Sequence, residues 1–255
     1  MLWHKAWLET RWRFLIGLAL LALSALAIVL TYPQVVRLLT LAPQVDLGGE
    51  LGRRVAESVA LSSTYRGYIW SQFLMEDMPR NWTVVAALLG SGGLLVQSAG
   101  KGGLFTLSLP ASRNRLLLVR AATSLAELFV LALVPCLLLP LLSPAVGQTY
   151  GIGDALIHGL ALFIGGSVFF SLAFYCSTLF TELWIPCVVS LCAAVVMAYC
   201  SVAIPPVGEL IPYQVMGAAG HFFGQGLPWT GLLVSAALSA ALLYGASINL
   251  ARRDF

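Results

Sequence analysis

The sequence predicts an all-α integral membrane protein with six transmembrane helices, an N-terminal amphipathic interface helix, and a re-entrant outer helical hairpin before the last span. Of its 255 residues, 59% are hydrophobic and only 10% are charged, and the mean hydropathy is +0.89. These values lie far from those of an ordinary soluble domain. The apolar residues form runs of about 20, the length that crosses a hydrocarbon core of about 30 Å. Lys and Arg collect in one internal loop and near the two ends, which predicts the orientation.

The first 13 residues have the pattern of an amphipathic helix lying in the membrane interface. Its apolar face carries Leu2, Trp3, Ala6, Trp7 and Leu8. Its polar face carries Lys5, Glu9, Arg11 and Arg13. The first span is predicted at 14–32, with Pro33 ending it. A cleaved signal peptide is the competing interpretation, and the lack of a clear small-x-small site disfavours it.

The outer loop is predicted at 33–81, where five arginines balance five acidic residues. Within it, the apolar spacing over 48–78 predicts one or two surface helices packed on the membrane or on the bundle. The remaining spans are predicted at 82–99, 116–142, 155–178, 185–204 and 229–250. Gly90, Gly92 and Gly93 would let another helix approach the second span closely. Pro135 and Pro140 predict a kink in the third.

The segment 207–228 is too apolar for an ordinary loop and too short for a further span between its prolines and glycines. We expect a pair of short helices dipping partway into the outer leaflet. Non-helical backbone at that depth must be buried in protein or face a wet cavity.

The basic loop 100–115 fixes the topology. Lys101, Arg113, Arg115 and nearby Arg120 carry four positive charges with no acid between them. Short loops of this kind stay on the cytoplasmic side. Counting spans from this loop places both chain termini in the cytoplasm.

A motif in this loop resembles a known family. The motif residues are Leu107, Leu109, Pro110, Ser112, Arg113 and Arg115. They are similar to the segment after the second span in permease subunits of type-2 ATP-binding-cassette (ABC) exporters. That family usually has an acidic residue before the glycine, where this chain has Gln97 to Lys101.

The resemblance implies that residues 104–115 form a coupling helix docked on a separate ABC ATPase subunit, which binds ATP and Mg²⁺. It also implies a second permease, identical or homologous, a re-entrant helix pair before the last span, and a bacterial inner membrane with its lipids around the chain. The expected function is the membrane-spanning subunit of an exporter. A non-transporting membrane scaffold or assembly factor is the alternative, and a membrane enzyme acting on lipids is a third class.

No catalytic or nucleotide-binding motif is found, and the basic residues do not form a nucleic-acid footprint. Gly100-Lys101 lacks the first glycine and the Ser or Thr of a phosphate-binding loop. The five cysteines lack metal-ligand or Cys-x-x-Cys spacing and are interpreted as packing residues. The chain itself is therefore expected to hold no cofactor and no metal.

Two sets of intramembrane polar residues remain. Glu127 lies about two turns into the third span, where a charge is costly. It either lines a translocation path or pairs structurally with Arg120 or with a hydroxyl of another helix. Asp154 and His158 share a helix face and, with Glu209 and His221, offer metal-ligand types. Polar residues at the membrane interface are the simpler interpretation of this second set.

Overall fold

The computed structural model describes residues 2–41, 49–92, 113–204 and 210–252, and these residues are almost entirely helical. We label the α-helices in chain order. They are α1 (Leu2–Leu41), α2 (Gly49–Ser63), α3 (Tyr65–Tyr68), α4 (Met78–Gly90), α5 (Arg113–Leu142), α6 (Ile152–Ser177), α7 (Trp184–Ala203), α8 (Pro212–Met216), α9 (Ala219–Phe222) and α10 (Trp229–Ala251). A π-helix (Ile69–Asp77) joins α3 to α4, and a 3₁₀ turn (Ser143–Val146) follows α5.

Five of these helices are long and apolar enough to cross a membrane: α1, α5, α6, α7 and α10. The predicted span at 82–99 is not among them. Part of it falls in α4, and residues 93–99 lie outside the described residues. A multi-pass membrane protein is therefore supported, and the sixth span stays a prediction.

The contacts between helices place both ends of the described chain at the same end of the bundle. Arg13 of α1 donates to the Leu88 carbonyl near the end of α4. Gly90 packs on the second half of α6, against Ala173. Asn249, near the end of α10, donates to the Thr178 carbonyl just after α6. We call this the terminal end, and the opposite end of the bundle the far end.

Two glycines, Gly90 and Gly166, allow α4 and α6 to pack closely. A Cβ on Gly90 would lie 2.6 Å from the Phe170 carbonyl oxygen, so α4 and α6 meet backbone to backbone there, as the sequence predicts. Gly166 of α6 lies under the indole of Trp82. Hydroxyls also bridge the spans, since Ser239 of α10 hydrogen-bonds both Ser167 and Ser171 of α6 at 2.9 Å.

The structure differs from the prediction at the N-terminus. A separate interface helix is absent from the described residues, because α1 runs without interruption from Leu2 to Leu41 and includes Pro33. The reason is a stripe of buried residues that continues from the apolar run back into the first 13 residues. Its members are Ala6, Thr10, Phe14, Leu21, Ala25, Val29 and Tyr32. The amphipathic start is thereby held against the bundle.

A second difference concerns residues 65–81, which the sequence analysis assigns to the outer loop. Only α2 has the exposed character expected of a surface helix. Residues 65–90 instead form one helical stretch inside the bundle, with Ile69, Phe73 and Trp82 fully buried. The charges that suggested a loop have partners there: Glu76 lies 3.7 Å from Arg80, and Ser24 of α1 donates to Asp77 at 3.2 Å.

The other helices lie close to their predicted ranges. Helix α5 continues through Pro135 and Pro140. The described part of 207–228 contains two short helices, of which α8 packs mainly against α6, α7 and α10. Phe222 of α9 stacks on Trp70 of the π-helix. Ala218, between the two short helices, has a positive φ of 44°. The re-entrant hairpin therefore stays a prediction.

Candidate functional site: a polar network at the terminal end

Most residues of the predicted coupling loop lie outside the described residues. This applies to Leu107, Leu109, Pro110 and Ser112. Arg113 is the first residue of α5, and Arg115, two residues later, is exposed. Contact of this loop with an ATPase therefore stays a prediction. The described helices on either side of the loop are α4 and α5.

Glu127 of α5 is buried, with only 3% of its surface exposed. One of its carboxylate oxygens is hydrogen-bonded to the hydroxyl of Thr10 on α1, so the structure supplies the hydroxyl partner considered from the sequence. Its other oxygen has no partner among the described residues, and the same holds for Ser124 Oγ and Arg120 Nε on the same helix. Three polar groups of α5, spaced by about one turn each, thus face α1.

Arg120 connects the same two helices nearer the loop. It is buried, and its Nη1 lies 3.6 Å from Glu9 Oε2 of α1. Glu9 also lies 3.9 Å from Lys5. A buried guanidinium requires such a partner because desolvation of an unpaired charge is costly. The pair therefore fixes the position of α1 along α5.

Two arginines converge at the end of α4. Arg13 Nη1 donates to the Leu88 carbonyl at 2.8 Å. A Cβ on Gly92 would lie 2.7 Å from Arg13 Nη1 and 2.6 Å from Arg120 Nη2. Positive groups at a helix C-terminus satisfy free carbonyls and interact favourably with the helix dipole. The last described residue before position 93 thus lies beside Arg13 and Arg120, and Arg120 belongs to α5, the first helix described after position 112.

We call these residues of α1, α4 and α5 the terminal network. Its members are Lys5, Glu9, Thr10, Arg13, Leu88, Gly92, Arg120, Ser124 and Glu127. Its ion pairs and hydrogen bonds join the two helices that flank the basic loop to α1. This arrangement can transmit displacement between those three helices.

A large cavity lies away from the network, between the π-helix, α4, α7 and α8. Its volume is about 800 Å³. One wall is apolar, with Leu191, Ala194, Val195 and Ala198 of α7. The opposite side carries Glu76, Arg80, Tyr213 and Gln214. Burial raises the pKa of the Tyr213 phenol, while the nearby Arg80 acts to lower it. Glu127 is not among the residues that line this cavity.

At the far end, the structure brings together three residues that the sequence analysis considered jointly. Asp154 Oδ1 lies 3.1 Å from His221 Nε2 of α9. The His158 and His221 rings have centroids 5.5 Å apart, and His158 Nδ1 lies 2.7 Å from the Asp154 carbonyl oxygen. Glu209 lies outside the described residues. Within the described ranges, no group of three or more His, Cys, Asp or Glu side chains could hold a metal ion.

Sequence reasoning missed the links made by Thr10, Arg13 and Arg66. Arg66 of α3 is paired with Asp154, its Nε lying 3.2 Å from Oδ2. Such contacts join residues that are distant in the chain, and a single sequence carries no signal for them. The pairing of Asp154 with His158 on one helix face was the part that spacing could find.

Comparison with known proteins adds no assignment. The chain matches no family model, no curated protein and no solved structure.

Proposed function

We propose that this chain is the membrane-spanning subunit of an ATP-driven exporter similar to the type-2 ABC permeases. In this proposal, six spans cross the inner membrane, both termini and the basic loop are cytoplasmic, and a separate ATPase binds ATP and Mg²⁺. A second permease, identical or homologous, completes the path. The resemblance of the loop motif suggests the class.

The observation that carries the proposal is the position of the terminal network. An ATPase-driven permease must convert a push on a cytoplasmic loop into movement of its spans. Here α4 precedes the loop and α5 follows it in the chain. The side chains of Arg13 and Arg120 both lie beside Gly92, the last described residue before the loop. Force on the loop would therefore act on α1, α4 and α5 together.

The cavity between α4 and α7 supplies a second element that such a function needs. Its apolar wall and its ionic and amide groups suit an amphipathic substrate. Residues of the π-helix and α4 line this cavity, and the C-terminal end of α4 contacts Arg13 of the terminal network. Movement of α4 would therefore change the shape of the cavity. Substrate passing between two permeases would contact this surface and not Glu127.

The proposal is tested by purifying the tagged chain from its native membrane in mild detergent and identifying co-purifying chains by mass spectrometry. An ATPase recovered in about equal amounts supports the proposal. The Arg113→Glu and Pro110→Glu variants should then lose substrate-stimulated ATPase turnover. Arg53→Glu is the matched control, because Arg53 is an exposed arginine on α2 outside the loop. Unchanged turnover in both loop variants would reject the docking site.

The scaffold alternative predicts a different result from the same preparation. No ATPase chain would be recovered, and scrambling 107–115 would leave the set of co-purifying proteins unchanged.

A further inference from the structure

One of the contacts that hold segment 210–228 at the far end is made with the carboxylate of Asp154. Asp154, in the first turn of α6, has Arg66 3.2 Å from Oδ2 and His221 3.1 Å from Oδ1. Arg66 comes from α3 and His221 from α9, so three separate elements meet at Asp154. All three side chains are partly exposed, which leaves them accessible to protons from solvent.

Aromatic contacts reinforce the same junction. The guanidinium of Arg66 lies 5.4 Å from the centroid of the Phe222 ring, in cation–π geometry. The indole of Trp70 stacks on the Phe222 ring, with ring centroids 4.3 Å apart. The Nε1–H of the same indole donates a hydrogen bond to the Gly217 carbonyl. The segment is therefore held by an ionic contact and an aromatic contact side by side.

The segment also forms part of the large cavity. Tyr213 and Gln214, at the start of α8, line it together with Trp70. Displacement of 210–228 would therefore widen the cavity at the far end. The contact of His221 with Asp154 joins this same segment to α6.

We propose that Arg66, Asp154 and His221 form a pH-dependent clasp that holds segment 210–228 over the far end of the cavity. Histidine is the side chain that ordinarily changes charge between pH 5 and 8. Protonated His221 forms an ion pair with Asp154, and neutral His221 keeps only a weaker hydrogen bond to it. The clasp is therefore tighter at pH 5.5 than at pH 8.

The other titratable groups around His221 set the sign of this response. Arg66 stays positive across this range and keeps its contact with Asp154, so the clasp weakens at high pH without being lost. His158 is buried 5.5 Å from His221, ring to ring, and two positive rings at that distance would repel. The carboxylate of Asp154 contacts His221, whereas His158 contacts only the backbone carbonyl of Asp154, so the ion pair of the clasp is made by His221. Tyr150 is also near Asp154, and burial raises its pKa, so it stays neutral throughout.

The test is amide hydrogen exchange of the full chain in lipid nanodiscs at pH 5.5 and pH 8.0, corrected for the intrinsic pH dependence of exchange. We expect protection of residues 212–223 to be about fivefold lower at pH 8.0, the change that follows when a charge-assisted hydrogen bond becomes an ordinary one. His221→Gln keeps a donor but carries no charge, and should show equal, low protection at both values. Asp154→Asn should do the same.

His4→Gln is the matched control, because His4 is an exposed histidine at the terminal end. It should retain the wild-type response. Protection of α6 reports whether each variant is folded, so a folding defect is recognised separately. Equal protection at the two pH values in the wild type, or a preserved response in His221→Gln, would overturn the clasp. The test does not involve the ATPase, so its outcome is independent of the proposed function.

Discussion

Gly166 lies directly beneath the indole ring of Trp82, and a Cβ added to this glycine would be 2.1 Å from Cζ3 of that ring. Trp82 is fully buried, so the ring has no solvent-exposed space into which it can retreat. The contact fixes the distance between α4 and α6 at the level of the large cavity.

Replacing Gly166 with alanine should therefore destabilise the bundle. Overpacking of a dense core costs about 1–3 kcal/mol, and reversible unfolding in detergent would measure it. Gly153→Ala is the matched control, because a Cβ there meets nothing within 4 Å. That substitution should be neutral or stabilising by up to about 1 kcal/mol. Equal effects of the two changes would contradict the close packing of α4 on α6.

The Thr10–Glu127 hydrogen bond should appear as a coupling between α1 and α5. In a double-mutant cycle of Thr10→Ala and Glu127→Gln, we expect a coupling free energy of about 1 kcal/mol, the difference between a hydrogen bond to a carboxylate and one to the amide oxygen that glutamine retains. Thr31 is the control threonine, since it is exposed on the same helix and bonds only within it, to the Ala27 carbonyl. A cycle of Thr31→Ala with Glu127→Gln should give no coupling. Equal coupling free energies in the two cycles would contradict a specific contact between Thr10 and Glu127.

Arg120 and Arg115 should differ in what they affect. Arg120→Leu removes the buried guanidinium that pairs with Glu9, which keeps Lys5 as a partner, and should cost about 1–2 kcal/mol of unfolding free energy. Arg115→Leu should change that free energy by less than about 0.5 kcal/mol, because Arg115 is exposed. Under the proposed function, Arg115→Leu should instead lower the affinity for the ATPase chain. A large loss of stability from Arg115→Leu would contradict its position on the surface.

Tyr150 gives a prediction for alkaline pH. It lies between α5 and α6, and burial raises the pKa of its phenol, with the charge of nearby Asp154 acting in the same direction. In the unfolded chain this phenol ionises near its ordinary value of about 10. The unfolded state then releases the proton first, so stability that is complete below about pH 10 falls as the pH rises further.

Tyr150→Phe should make this alkaline loss smaller. Unfolding by denaturant at pH 8 and pH 11 measures the difference, and absorbance of the phenolate band follows the ionisation directly. A variant that loses as much stability as the wild type would exclude Tyr150 as a source of the effect.

Sequence patterns were most informative where long apolar runs alone set the structure. The ranges predicted for the third to sixth spans lie within a few residues of α5, α6, α7 and α10. The helix that contains residues 82–90 begins earlier than the sequence suggests, because Glu76, Asp77 and Arg80 look like loop residues when their partners are unknown. In the structure, these charges pair with one another or with α1, and the helix continues through them.

At the N-terminus, the sequence identifies a helix but does not determine whether it is separate from the first span. The tryptophans and charges before residue 14 do indicate an amphipathic helix, and Trp3 and Trp12 are exposed as such a pattern requires. Whether this helix lies in the interface or continues the span depends on what its buried face meets. Thr10 meets Glu127, which is 117 positions away along the chain, and periodicity holds no information about that contact.

The uninterrupted helix α1 has a mechanical consequence for the whole molecule. At 1.5 Å per residue, its 40 residues extend about 60 Å. Along that length it is bonded to Glu127 through Thr10 and to Asp77 through Ser24, and it packs on Tyr65 through Tyr32. Tyr65 adjoins Arg66 of the clasp, so one long helix contacts the network, the π-helix that borders the cavity, and the far end. Its two ends cannot shift independently, and an axial slip of α1 would act on all three places at once.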